Sequence, residues 1–177
     1  MSGRSAVFFD RDGIVNVRPV RTRYVETPAD FHLIPTFMDS LRLVRDRGYA
    51  AFIVTNQRGV GRGIMTLESL NAIHAELIRL LQARGLALDG IGVCTADDDA
   101  HPDRKPNPGL LLGAAREHRL DLTRSWMIGD TESDVLAGLR AGCRTIRVST
   151  DVNPPSQAEF RIPDMRHIIP LLDKVLV

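Results

Sequence analysis

The chain predicts an α/β fold in which a parallel sheet carries helices on both faces, and three features point to it. Short apolar runs rich in β-branched and aromatic residues recur along the 177 residues, segments of helical periodicity lie between them, and polar or glycine-bearing loops follow the runs. Strand alternating with helix implies parallel strands joined by right-handed crossovers, hence an open sheet covered on both sides. The expected architecture is Rossmann-like and doubly wound, a single domain over residues 1–177 with no large cap domain between its elements.

Each element has its own signal. The run AVFF at 6–9 is the first strand. A helix over 34–47, with Phe37, Leu41 and Val44 in register, stops before Gly48. The strand at 50–54 precedes a helix over 67–84, whose Leu70, Ile73, Leu77 and Leu81 form one stripe and which ends at Gly85. After a strand at 91–94, Asn107 and Pro108 look like an N-cap and first helical residue for 108–118. A strand at 125–128 leads to a helix opening near Asp134 and stopping at Gly142, and another strand follows at 145–148. The polar, proline-bearing stretch 151–163 suggests an irregular excursion, followed by a last helix over 165–176 interrupted or restarted at Pro170.

Lys plus Arg number 23 against 22 for Asp plus Glu, so no global field draws the chain to nucleic acid, and no extended basic track would hold a polyanion. Two cysteines cannot build a disulfide framework and suit a reducing compartment. The apolar run before Asp10 is too short for a signal h-region, and nothing approaches the ~20 apolar residues of a membrane span. The expectation is a cytoplasmic protein without membrane contact, monomeric or a small homo-oligomer.

In such a sheet the ligand crevice lies at the carboxyl ends of the strands. There the sequence AVFFDRDGIVN places Asp10 and Asp12 one residue apart, with Gly13 allowing a turn. They are either solvated turn acids or two anions compensated by a shared proton or a hard divalent ion such as Mg²⁺. The second strand delivers Thr55 and Asn56 followed by Gly59, Gly61 and Gly63, a set of donors suited to phosphoryl oxygens. Arg104 and Lys105 precede a helix and are either solvated or able to cancel charge on a nucleophile and a phosphate together. Asp130 ends a strand as Asp10 does and is a candidate metal ligand, while Asp134 is explicable by the helix macrodipole alone. Bland explanations would have to coincide at four strand ends.

These segments, in this order, resemble the haloacid dehalogenase superfamily of aspartate-nucleophile phosphatases. FFDRDGIVN, VTNQRGVGRG, RKPNPGLL and MIGDTESDVLAGLRAG are similar to the branch holding D-glycero-D-manno-heptose 1,7-bisphosphate 7-phosphatases and histidinol-phosphate phosphatases. The resemblance implies that Asp10 is the nucleophile and Asp12 the general acid and base. It puts Mg²⁺ on Asp10, Asp130 and the backbone carbonyl of Asp12, with Asp134 supporting the metal from behind. Thr55, Asn56 and Lys105 would hold the transferred phosphoryl group, and Arg104 a second anionic group of the substrate. Arg58 and Arg62 could help or be solvated, as could Arg18, Arg21 and Arg23 at the crevice edge. The substrate is expected to be a small phosphorylated metabolite, a heptose bisphosphate or related sugar phosphate, with histidinol phosphate as the alternative.

One departure stands out. The family usually carries a structural zinc loop, Cys-x-His followed by Cys-x-Cys, but here the piece is CTADDDAHPDRKP: Cys94 remains, Ala96 stands where a histidine would be and Asp103 where the last cysteine would be. Cys94 and His101 are two ligands where tetrahedral zinc wants four, so structural zinc is not expected. A phosphoacceptor signalling domain shares the sheet and strand-end acids, but its modified aspartate would end the third strand in sequence, where this chain has Cys94 and Thr95.

Overall fold

The computed structural model of the chain describes residues 3–19, 24–151 and 155–176. Six parallel strands form one sheet in the order β3-β2-β1-β4-β5-β6: β1 (Ala6–Phe9), β2 (Ala50–Asn56), β3 (Gly90–Cys94), β4 (Trp126–Gly129), β5 (Arg144–Val148) and β6 (Phe160–Ile162). This is the doubly wound order expected of a Rossmann-like sheet. The chain winds outward from β1 through β2 to β3, then returns to lay β4 on β1's other side. A crevice must therefore open between the carboxyl ends of β1 and β4, where the winding direction reverses.

Alternation along the strands sorts the helices. Val7, Phe9, Ala51, Ile53 and Ile128 face a core completed by α1 (Pro35–Asp46), α3 (Leu67–Gln82) and α6 (Ile168–Val175). Ala6, Phe8, Phe52, Val54 and Met127 face the other way, against α4 (Gly109–His118) and α5 (Glu132–Ala141). Phe8 stacks on Phe52 across the β1–β2 ladder at 5.4 Å between ring centroids, while Phe9 meets Phe37 of α1 edge-on at 5.2 Å. None of these helices is long and apolar enough to cross a membrane.

The structure corrects the sequence-based expectation at several places. The excursion over 151–163, of which residues 152–154 lie outside the described residues, contains β6, a three-residue edge strand whose central Arg161 leaves no apolar run to detect. The last helix does restart, but at Ile168 after a 3-10 turn over Met165–His167, so Pro170 falls in the first turn of α6, where a missing N–H costs no hydrogen bond. Pro108 rather than Asn107 caps α4; the Asn107 amide instead donates to the carbonyl of His101 at 2.9 Å and helps close the preceding loop. The glycine-bearing segment after β2 coils into a single helical turn, α2 (Arg58–Gly61). Its glycines serve close packing: a Cβ on Gly61 would stand 2.3 Å from the carbonyl oxygen of Thr95.

Gly138 of α5 has a similar duty, since a Cβ there would lie 2.7 Å from Cβ of Met127 and 2.8 Å from Cγ2 of Thr145. Replacing a helical glycine by alanine gains ~1 kcal/mol of propensity, but overpacking a filled core costs ~1–3 kcal/mol. Gly138→Ala is therefore expected to lower the midpoint of urea unfolding, and a raised midpoint would show that the α5 interface has slack.

Candidate active site

Asp10 directly follows β1, and its N–H donates to the carbonyl of Ile128 at 2.9 Å, so the β1–β4 ladder extends one residue and fixes the acid at the switch point. Its carboxylate is buried and meets the Lys105 ammonium at 2.6 Å. Lys105 also reaches Asp134 at 2.6 Å and the carbonyl of Val54 at 2.8 Å, which satisfies all three ammonium donors. The main chain of Lys105 is held in turn by Asn56, whose side-chain oxygen accepts from the Lys105 N–H at 3.1 Å and whose amide nitrogen donates to its carbonyl at 2.9 Å. Asn56 was expected to offer its amide to a phosphoryl group. Both ends of that amide are engaged by Lys105.

Asp134 belongs to the start of α5. Its second oxygen accepts from the N–H and hydroxyl of Thr131, at 3.0 and 2.6 Å, closing a capping box at the helix N-terminus. The helix accordingly opens two residues earlier than the sequence suggested, at Glu132. Gly129 permits this arrangement, for a Cβ there would sit 2.2 Å from Cβ of Asp134.

Asp130 completes an acidic group: ligand oxygens of Asp10, Asp130 and Asp134 all lie within 4.8 Å of one another. Oxygen-only donors at this spacing suit a hard divalent cation. A second observation supports the fit. The Arg18 guanidinium lies on this site, donating from Nε to the Asp12 carbonyl at 3.2 Å and from its terminal nitrogen to Asp130 at 2.9 Å. A positive side chain thus occupies the backbone carbonyl and the carboxylate that the resemblance assigns to metal. Gly13, at φ +98°, leaves room for this approach, since a Cβ there would stand 2.3 Å from Oδ2 of Asp130. Arg21 and Arg23, also expected near the crevice, lie outside the described residues.

The charges in the site are unequal. Burial, opposed by Lys105 and reinforced by Asp134, Asp130 and Asp12, raises the Asp10 carboxyl to about 7. Burial likewise raises Asp130 to about 6, against the lowering effect of Arg18. Burial works against the Lys105 charge, but Asp10 and Asp134 win and hold the ammonium above its ordinary value. Asp12 departs in the opposite direction from Asp10: burial disfavours its charge, and Arg11, Asn16 and Gln57 overcome that and keep it below the usual carboxylate range.

These groups line a cleft of about 520 Å³ that also contains Thr55, Arg58, Arg104 and Ser133, a size that holds a small metabolite. All the expected site residues meet there except Asp130, which stands beside Asp10 and Asp134 but lines a second cavity together with Gly13. Arg104 is buried, with Nε 2.8 Å from Asp99 and a terminal nitrogen 3.2 Å from the carbonyl of Ala96. Sequence reasoning missed Arg11 and Gln57, which hold Asp12; nothing but their position beside recognised motif residues could have flagged them.

Residues 103–174 match the HAD-hydrolase-like family model. A D-glycero-beta-D-manno-heptose-1,7-bisphosphate 7-phosphatase of Helicobacter pylori is 42% identical over 138 residues, covering 77% of this chain and 78% of that protein. The chain belongs to the haloacid dehalogenase-like hydrolases. Its fold superposes on a putative HAD-like phosphatase from Mesorhizobium loti with a TM-score of 0.84 at 30% identity, covering 99% of this chain and 88% of the other. A D,D-heptose 1,7-bisphosphate phosphatase from B. bronchiseptica, solved with magnesium and phosphate, gives 0.83 at 27% identity over 96% of this chain and 98% of that one. This hydrolase is a phosphatase, acting on phosphoric monoesters.

Removing the shared ammonium isolates two buried acids of the phosphatase. Because the Lys105 pKa lies above its ordinary value, the ammonium itself stays charged at all pH below ~10, and only the protonation of its partners changes what it contributes. Lys105→Met should therefore cost about 3–5 kcal/mol at neutral pH, measured by urea unfolding. The loss should shrink near pH 5, where Asp10, raised to about 7 even with Lys105 present, takes up a proton. An equal loss at both pH values would mean that packing, not charge, holds this site.

Proposed function

We propose that the chain is a Mg²⁺-dependent phosphatase that removes the 7-phosphate of D-glycero-D-manno-heptose 1,7-bisphosphate. The observation that carries the catalytic part is the buried Asp10–Lys105–Asp134 array at the switch point, beside Asp130 and in the same cleft as Arg58 and Arg104. The names of its relatives, the H. pylori and B. bronchiseptica enzymes among them, support the substrate. So do the arginines, because a substrate with two phosphates presents a second anion to them. Histidinol phosphate would bring an ammonium toward the same guanidinium groups.

Asp10 attacks phosphorus, forming its Oδ–P bond as the P–O bond to the sugar breaks. Asp12, which takes up a proton from solvent when the phosphate dianion enters the cleft beside it, gives that proton to the departing alkoxide. Water then attacks the aspartyl phosphate, Asp12 takes a proton from it, and Asp10 is released with inorganic phosphate. The Thr55 hydroxyl donates to the equatorial oxygens and the Lys105 charge stabilises them, since positioning and charge carry most of phosphoryl transfer. Asn56 fixes Lys105, and Asp134 shares its charge. Asp10, Asp130 and the Asp12 carbonyl would hold Mg²⁺, which would supply the positive charge that keeps Asp10 ionised and screens it from the phosphate dianion. Two buried free cysteines suit a reducing cytoplasm.

A phosphate-release screen over sugar bisphosphates, sugar monophosphates and histidinol phosphate tests this assignment. The heptose bisphosphate should lead, Asp10→Asn should abolish release, and Arg104→Ala should raise KM for the bisphosphate more than for monophosphates. Turnover that is equal and slow on every compound would remove the substrate assignment, and an active Asp10→Asn the mechanism.

Metal binding is a separate expectation. Arg18 competes for two of the proposed donors with a guanidinium that is half exposed, and exposed bridges are worth ~0.2–1 kcal/mol. Arg18→Ala should therefore tighten Mg²⁺ about twofold to fivefold, read from the metal dependence of Tm without substrate. The Mg²⁺-induced rise in Tm should also grow from pH 5 to pH 7.5. Protons bound at Asp10 and Asp130, raised to about 7 and about 6, compete with metal at the lower pH. A rise that is flat with pH would place the metal elsewhere.

A further inference from the structure

The Asp12 carboxylate accepts hydrogen bonds from three side chains and keeps one side toward the cleft. Arg11 donates to it from Nε at 3.2 Å and from one terminal nitrogen at 3.0 Å to each oxygen. Asn16 donates at 3.0 Å to Oδ1 and Gln57 at 3.0 Å to Oδ2. All three donors are buried, Arg11 and Asn16 completely. Gln57 has a second partner, the Thr55 hydroxyl at 2.8 Å from the same nitrogen. One buried amide therefore joins the phosphoryl-binding hydroxyl at the end of β2 to the carboxylate that follows β1.

We propose that Gln57, with Arg11 behind it, is a positioning residue that fixes the Asp12 carboxylate relative to a phosphoryl group seated at Thr55. This rests on the reading of Asp12 as proton donor and acceptor. Arg11 sets one edge of the carboxylate, and its remaining terminal nitrogen rests 3.4 Å from Nε2 of His74. Burial and the neighbouring guanidinium push His74 down to about 4, so the ring is neutral and Nε2 is free to accept from Arg11. Asn16 Nδ2 is also spent on the Val17 carbonyl at 3.0 Å, which makes it part of the turn. Only Gln57 bridges to the phosphoryl side. A fixed carboxylate matters most when it must take a proton from an attacking water, since that water has to lie between Asp12 and phosphorus at one defined place. Gln57 touches neither substrate nor the reacting atoms. Its effect passes through Asp12 and Thr55.

The test uses the full chain with Mg²⁺ and p-nitrophenyl phosphate, whose leaving group departs without a proton. Gln57→Met and Gln57→Leu both remove the amide with apolar groups of similar size, and a melting curve first establishes which of them folds. Phosphorylation of Asp10 should proceed at nearly the wild-type rate, while hydrolysis of the aspartyl phosphate slows about 10- to 100-fold. Rapid mixing then shows a burst of one nitrophenolate per site that the wild type lacks or shows weakly, and acid quenching traps phosphate on the protein. On an alkyl phosphate kcat should fall by a similar factor with KM little changed. A merely structural role would slow both phases together and leave no added burst. That result, or wild-type behaviour, overturns the proposal. Asp12→Asn separates the levels: a burst in Asp12→Asn without one at Gln57 sinks only the positioning role, whereas an unimpaired Asp12→Asn sinks the reading on which it rests.

Discussion

The Lys105 ammonium, buried between the carboxylates of Asp10 and Asp134, is the interaction on which the rest of the site depends. A desolvated charge is tolerable only when its hydrogen bonds and its counter-charge are both supplied. Here three stretches of chain supply them to the lysine of the segment before α4: the residue after β1, the C-terminal half of β2, and the first turn of α5. Each is adapted to the task. Asn56 clamps the lysine main chain, Gly129 lets α5 approach, and the Thr131 capping box orients Asp134. The sheet topology makes this possible, because only at the reversal between β1 and β4 do the ends of sequence-distant strands face a common opening.

Two acids separated by one residue are pushed to opposite states. Asp10 faces inward toward other carboxylates and is raised to about 7 by burial first and by like charge second. Asp12 faces the donors on Arg11, Asn16 and Gln57, and they keep it ionised despite burial. In the proposed reaction a cation beside Asp10 and a phosphate dianion beside Asp12 would reverse that order, ionising the nucleophile and protonating the acid. The inward group remains short of positive charge even with Lys105 in contact. Arg18 lies on Asp130 and the Asp12 carbonyl for the same physical reason that a divalent cation would. The metal requirement and the arginine contact thus have one cause, a surplus of oxygen donors around Asp10.

Much of this was visible before any coordinates, and the reason is specific. β1, β2 and β4 are buried runs that end abruptly in functional polar residues, so hydropathy marks both the strand and the place where chemistry begins. The pattern fails where burial is not written as hydrophobicity. Arg11 is completely buried and Gln57 nearly so, yet each looks like a loop residue, because what makes burial acceptable is a carboxylate and a hydroxyl brought in by folding. β6 failed for the converse reason: an edge strand with an outward arginine needs only a ladder partner, and Val148 of β5 pairs with Ile162 without any apolar run. Asn107 has the residue type of a cap, but the carbonyls of its own loop offered partners as good as the helix N–H groups.

The loop after β3 shows how charge can perform work that the family resemblance assigns to sulfur ligands. Cys94 and His101 are still neighbours, 3.7 Å apart. Around them the acids at 97 and 99 are engaged by arginines: Asp97 by Arg58 and Arg62, Asp99 by Arg58 and Arg104. Single exposed bridges hold little against solvent, so this brace works only as a network sharing carboxylates and backbone carbonyls. Arg104 gains most from it, because contacts at Nε and one terminal nitrogen fix the plane of its guanidinium while the residue still lines the cleft. The acids at 97 and 99, in the loop where Asp103 stands in the place of the family's last cysteine, thereby keep Arg104, a cation of the same cleft as Lys105, in a defined orientation.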